Sequence, residues 1–142
     1  MGSVTIFKAR KISPGKACGP ALITRERLGL RGFANLEQGK FSGGSLGIGD
    51  LEGASFAGAV LIFPSSKGST LWSITLDLHC RLGNAPAAMI NSNIDPFVAL
   101  GCVLQDIPLV QVEDSSIFDQ VKNGDMVTVD ADKGEVTVSK TP

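Results

Sequence analysis

The spacing of apolar positions changes style near residue 57. Up to about Ser55 the chain is dominated by glycine and short extended pieces. Val4, Ile6 and Lys8 alternate, Ala21-Leu22-Ile23-Thr24 is a brief apolar run, and Arg27 to Ala34 has the makings of a further strand. Ser13-Pro14-Gly15-Lys16 and Cys18-Gly19-Pro20 punctuate turns between these pieces. From Ala57 the pattern becomes decisive. Ala57 to Phe63 is a continuous apolar run stopped by Pro64, the signature of a strand buried on both faces. Leu71, Ile74, Leu78 and Leu82, with Trp72 and Leu76 beside them, recur at helical spacing and close on Gly83-Asn84. Ala87 to Ile90 is a second buried strand. Asp95 before Pro96 reads as an N-cap followed by proline in the first turn, and Phe97 to Leu104 continue that helix. Ile107 to Val110 is a third strand. The order β-α-β-α-β predicts parallel strands joined by right-handed crossovers. At the end, Met126 to Val129 and Glu135 to Val138 alternate on either side of an Asp130–Gly134 turn, which predicts a hairpin.

Composition adds bounds. At 142 residues, 43% apolar and 19% charged, the chain suits one globular domain over residues 1–142. A net charge of -1 with mixed signs gives no basic stripe for a phosphate backbone, which argues against nucleic acid as a partner. The apolar run 57–63 is far shorter than the roughly 20 residues that span a bilayer, and the start of the chain has no export pattern, so the expected location is cytoplasmic, with no membrane partner. Cys18, Cys80 and Cys102 share no metal-ligand spacing and read as reduced thiols, Cys80 and Cys102 as packing residues. Cys18, in its Gly-rich turn, has no assigned role. The only histidine, His79, falls inside the first long helix without a second ligand near it, and is expected to be partly buried and hydrogen-bonded.

In open parallel sheets ligands bind beyond the carboxyl ends of the strands. Three loops should meet there: Pro64 to Gly68, Asn91 to Asn93, and Val112 to Asp114. The first is chemically the richest, because Ser65, Ser66, Lys67, Gly68, Ser69 and Thr70 bring hydroxyls, a cation and open backbone N–H groups to a helix N-terminus. Such an end favours a carboxylate, a phosphate or a developing alkoxide. A plainer reading stands beside this one, since Ser69 or Thr70 would equally serve as an N-cap. No internal triad activates a serine, because His79 lies about ten residues along the helix. The segment Ser42 to Asp50 is glycine-rich but lacks the order of a phosphate loop, and reads as a surface loop.

Several stretches together resemble one family. Val60 to Thr70 is similar to the signature of the small-subunit, or swivel, domain of the aconitase X family. Gly15 to Leu22 is similar to its opening motif, Asn84 to Ala88 and Asp95 to Gly101 to its middle, and Val129 to Gly134 to its closing hairpin. The resemblance implies an α/β fold: a swivelling β/β/α domain with a central parallel β-α-β-α-β unit and a flanking, barrel-like strand region. It further implies a hydro-lyase small subunit, inactive without a large subunit that carries an iron–sulfur cluster, with no cofactor in this chain. The position matching the family's base is Ser69, with Ser65, Ser66, Lys67, Gly68 and Thr70 as substrate contacts.

The resemblance departs at Leu71-Trp72-Ser73, where small residues are usual, and over Gly32 to Lys40. Members of the family dehydrate either cis-3-hydroxy-L-proline or a mevalonate 5-phosphate. A phosphate-binding helix end favours small residues in its first turn, so the bulky Leu71-Trp72 pair points to the hydroxyproline-type substrate. The alternatives are a phosphomevalonate dehydratase small subunit and, in another class, a non-catalytic swivel or scaffold domain.

Overall fold

Two strands at the start of the chain, β1 (Val4–Lys8) and β2 (Arg10–Ser13), are separated by Ala9 alone. They nevertheless stand at opposite ends of one eight-stranded sheet. In the computed structural model, which describes residues 3–29, 34–35, 40–41, 55–68 and 71–140, the other strands of that sheet are β3 (Lys16–Ile23), β6 (Val60–Phe63), β7 (Ala88–Asn91), β8 (Leu109–Gln111), β9 (Met126–Asp130) and β10 (Glu135–Ser139). Their order is β1-β10-β9-β3-β6-β7-β8-β2. Consecutive Cα atoms lie 3.8 Å apart, so a one-residue link forces the two ends of the sheet together. The sheet therefore folds over on itself as a barrel-like pair of layers. A two-residue pair, β4 (Ala34–Asn35) and β5 (Lys40–Phe41), stands outside it.

The strand β3 joins the layers. Its residues 16–20 pair antiparallel with β9, while Ala21, Leu22 and Ile23 pair parallel with β6. One layer is thus the antiparallel set β1, β10, β9 and the start of β3. The other is the parallel run β3-β6-β7-β8, with β2 antiparallel at its end. Phe7, Val127, Val129, Val136 and Val138 from the first layer meet Val60, Ile62, Ala88, Ile90 and Val110 from the second in a continuous core. Strands of the antiparallel layer bury one face, which is why β9 and β10 alternate in sequence.

The parallel strands bury both faces. Leu61, Phe63, Met89 and Leu109 turn away from the barrel and pack under α1 (Leu71–Arg81) and α2 (Pro96–Leu104), together with Leu28, Phe56, Trp72, Leu76, Val98 and Cys102. The third layer is therefore helical, and the architecture is α/β with the β/β/α layering of a swivel domain. Asp95 caps α2 as its sequence indicates, accepting from Phe97 N–H (2.9 Å) and Val98 N–H (3.1 Å). The closing hairpin forms in register, Asp130 opposite Glu135.

Four expectations shift. Cys18-Gly19-Pro20, read as a turn, runs inside β3, where Gly19 lets the strand pass close to the Gly58 backbone. The run from Ala57 to Phe63 becomes strand only at Val60, because Phe56 to Ala59 make a turn in which Ala59 N–H donates to Phe56 O. The third parallel strand begins at Leu109, just after Pro108, which has no N–H to give. Of the extended run read from Arg27 to Ala34, Leu28 makes only an isolated parallel bridge with Ser66, Ala34 belongs to β4, and residues 30–33 lie outside the described ones. The strand β2 and the four-residue helix α3 (Ile117–Gln120) were not anticipated.

Gly19 shows how closely the layers approach. A Cβ on it would stand 2.2 Å from the carbonyl oxygen of Gly58, a backbone atom that has nowhere to move. Gly19→Ala is accordingly expected to lower stability by about 3 kcal/mol, the upper end for overpacking, read as a lower midpoint in urea unfolding.

Candidate active site

The carboxyl ends of β6, β7 and β8 do bring the three expected loops together. Asn93 N–H donates to Pro64 O (2.9 Å), tying the second loop to the first. Gln111 Nε2 donates to Ser92 O (3.1 Å), tying the end of β8 to the second. Between β6 and β7, the buried Asn91 donates through Nδ2 to Phe63 O (3.1 Å), and its Oδ1 has no hydrogen-bond partner among the described residues.

Within the first loop the backbone donors of residues 66 to 68 have fixed destinations. Ser66 N–H donates to Asp95 Oδ2 at 2.8 Å, across 29 residues of sequence. Lys67 N–H donates to Leu28 O at 3.1 Å, and Leu28 N–H donates to Ser65 O at 2.9 Å. Gly68 N–H donates to Ser66 Oγ at 3.1 Å, closing a turn whose φ of +76° at Gly68 suits glycine and strains other residues. The N–H groups of residues 66 to 68 are therefore committed within the chain. This corrects the expectation that the loop offers them open to an anion. A buried polar group costs free energy unless it is bonded, and these groups satisfy one another before any ligand arrives.

The side chains divide accordingly. Ser66, only 4% exposed, points its hydroxyl into the turn. Ser65 is half-buried, and Lys67 and Gly68 are exposed. Ser69 and Thr70 lie outside the described residues, as does the glycine-rich segment Ser42 to Asp50. Trp72 is 2% exposed, and its indole Nε1 donates to Leu28 O at 3.1 Å while its ring lies 6.2 Å from that of Phe63. It is a core residue, turned beneath the loop. Leu28 thus accepts two hydrogen bonds at one carbonyl and forms the floor of the site. Neither this nor the second oxygen of Asp95 was visible in sequence, where Leu28 fell in a presumed strand and Asp95 read as a cap alone.

The remaining chemistry-bearing residues lie apart from the loop. Cys18 is exposed, Cys80 half-buried and Cys102 buried; burial pushes both latter thiols up, and Cys102 Sγ stands 3.5 Å from Met89 Sδ. Among the described residues no group of three or more His, Cys, Asp or Glu side chains could hold a metal ion, and no helix is long and apolar enough to cross a membrane. His79 departs from expectation. It is 0% exposed, stacked edge-on against Phe56 with ring centroids 4.7 Å apart, and neither ring nitrogen has a hydrogen-bond partner among the described residues.

A family model described as the aconitase X swivel domain matches residues 6–138. The chain is 45% identical over 132 residues to a phosphomevalonate dehydratase small subunit of Methanothrix thermoacetophila, covering 93% of each chain. It is 39% identical over 130 residues to a protein of the same name from Archaeoglobus fulgidus, covering 92% of this chain and 96% of that one. Among solved structures, the crystal structure of Thermococcus kodakaraensis aconitase X in its holo-form aligns over 94% of this chain and 98% of that one, with a TM-score of 0.83 at 36% identity.

The buried histidine makes stability depend on pH. Burial lowers its pKa below the ordinary 6.5, so beneath that value the unfolded chain binds a proton that the fold excludes. Stability is complete above about pH 7 and falls as pH drops below about 6.5, by at most ~1.4 kcal/mol per pH unit for one proton. Melting temperatures between pH 5 and 7.5 are expected to show this fall, and His79→Leu to remove it.

Proposed function

The chain belongs to the aconitase X swivel-domain family, and from that premise we propose that it is the small subunit of a phosphomevalonate dehydratase, contributing Ser69 as the base. It is a hydro-lyase subunit, so the reaction class is elimination of water. What supports the substrate is one observation: relatives of that name match at 39 and 45% identity over nearly their whole length. The hydroxyproline-type substrate rested on the bulk of Leu71-Trp72 at the helix end. Trp72, buried beneath the loop and bonded to Leu28, does not crowd that end, and the argument loses half its premise.

The chain's own part is proton transfer. In elimination a C–H proton must leave as the neighbouring hydroxyl departs. A serine takes that proton only as an alkoxide, and so needs fixed dipoles around it. Ser69 directly precedes Thr70 and the eleven-residue helix α1, whose N-terminal end carries partial positive charge. Ser65, Lys67, Gly68 and Thr70 would border the substrate, while Ser66 holds the turn. The partner is a large aconitase-X-type subunit whose iron–sulfur cluster would supply the Lewis acid for the departing hydroxyl. The complex would work in the cytoplasm, with residues 1–142 acting as one swivel domain within it. A purely scaffolding chain would not need the serine at all.

Co-expression with the large subunit of the same source gives the test. The complex is expected to turn over mevalonate 5-phosphate and to leave cis-3-hydroxy-L-proline untouched. Ser69→Ala is expected to lower kcat by a factor of about 100 or more, the scale of a lost acid–base group, while co-purification with the large subunit and the melting temperature stay near wild type. Turnover of hydroxyproline alone would restore the other substrate. Full activity of Ser69→Ala would remove the serine from the mechanism.

A further inference from the structure

We infer that Asp95 is a positioning residue for the reaction, holding the segment Ser65 to Gly68, and through it the start of α1, in working register. The inference rests on the dehydratase reading of the same loop. Its ground is that the two carboxylate oxygens of Asp95 have separate duties. Oδ1 caps α2, accepting from Phe97 N–H and Val98 N–H at 2.9 and 3.1 Å. Oδ2 takes no part in the cap and accepts from Ser66 N–H at 2.8 Å.

Capping alone does not call for a carboxylate, because serine, threonine and asparagine cap about as well. Two acceptor oxygens on a side chain this short are found only in aspartate. Its second oxygen is the only side-chain acceptor met by a backbone N–H of Ser66 to Gly68 from outside the loop, among the described residues. The opposite side of the loop rests on the backbone of Leu28, whose carbonyl is shared with the Trp72 indole. Asp95 therefore couples the placement of α2 to the loop that precedes Ser69, and a loss of that tie leaves both helices intact while freeing the turn.

Asp95→Asn separates the two duties. Its single oxygen can still cap α2, but its amide would then face the Ser66 N–H, donor against donor. Asp95→Ser likewise caps and is too short to reach the loop, which guards against a folding defect in either variant alone. In both, the melting temperature is expected to stay within a few degrees of wild type, since the cap survives. Hydrogen exchange at the Ser66 amide is expected to accelerate roughly tenfold or more, as for a local opening released from its tie. In the two-subunit complex kcat on mevalonate 5-phosphate is expected to fall about tenfold or more with KM changed less than about threefold, the pattern of lost orientation and not of lost binding. Unchanged Ser66 exchange, or a kcat lowered only as far as the folded fraction, would overturn the inference. A wild-type complex inactive on both substrates would bring down the dehydratase reading and the catalytic half of this inference, while the amide exchange would still decide whether the tie exists.

Discussion

Every layer of this molecule takes its place from β3, a strand that serves two ladders of opposite sense. Its first five residues bond antiparallel to β9 and its last three bond parallel to β6. A chain so committed cannot lie flat, because each half is drawn toward a different layer. Gly19 sits in the half that must pass closest to the Gly58 backbone, and a side chain there has no room. The β1–β2 segment repeats the arrangement on the far side, one half on β10 and the other on β8. With two such corner strands the sheet encloses its own valine-rich core, and the parallel strands, with Ile12 of β2 beside them, offer a second apolar face to the helices.

The consequence for chemistry is a loop held from beneath and from both flanks. Leu28 and Trp72 form its floor, Asp95 holds one side, and Asn93 fixes the proline at its start. The backbone donors of Ser66 to Gly68 spent on these contacts are unavailable to a substrate. On the proposed function, the charge stabilisation a serine base needs would have to come from the helix end and from the partner subunit. The arrangement favours precision over reactivity in this chain. On the proposed reading the chain supplies a base but not the groups that polarise the substrate, as befits one subunit of a hydro-lyase.

Much of this was legible in sequence where one physical cause acts alone. Val60 to Phe63 announced burial on both faces, Asp95-Pro96 announced a helix start, and the Asp130–Gly134 turn announced a hairpin. The illegible parts depend on two causes or on distance. Residues 10–13 are short and carry Arg10 and Lys11, and only their pairing with β8, about a hundred positions away, makes them a strand. Trp72 lies on a helical stripe, yet its role comes from a carbonyl at residue 28. The stripe that includes His79 gave no hint that its ring would be sealed against Phe56 with both nitrogens unbonded among the described residues. Ser66, Lys67 and Gly68 showed which donors the loop possesses, but not that the fold had already spent them.

The one-residue link at Ala9 bears on how such a chain survives before it meets its partner. An open sheet presents a row of unpaired amides and carbonyls along each rim, and such rims recruit strands from other molecules into aggregates. Here the two terminal strands are halves of a single bent segment, so the exposed rims are no longer than the five residues of β1 and the four of β2, and Lys8, Arg10 and Lys11 stand along them. Charge and brevity make these poor templates for strand addition. The bend that closes the core therefore also shortens the rims that the sheet leaves open.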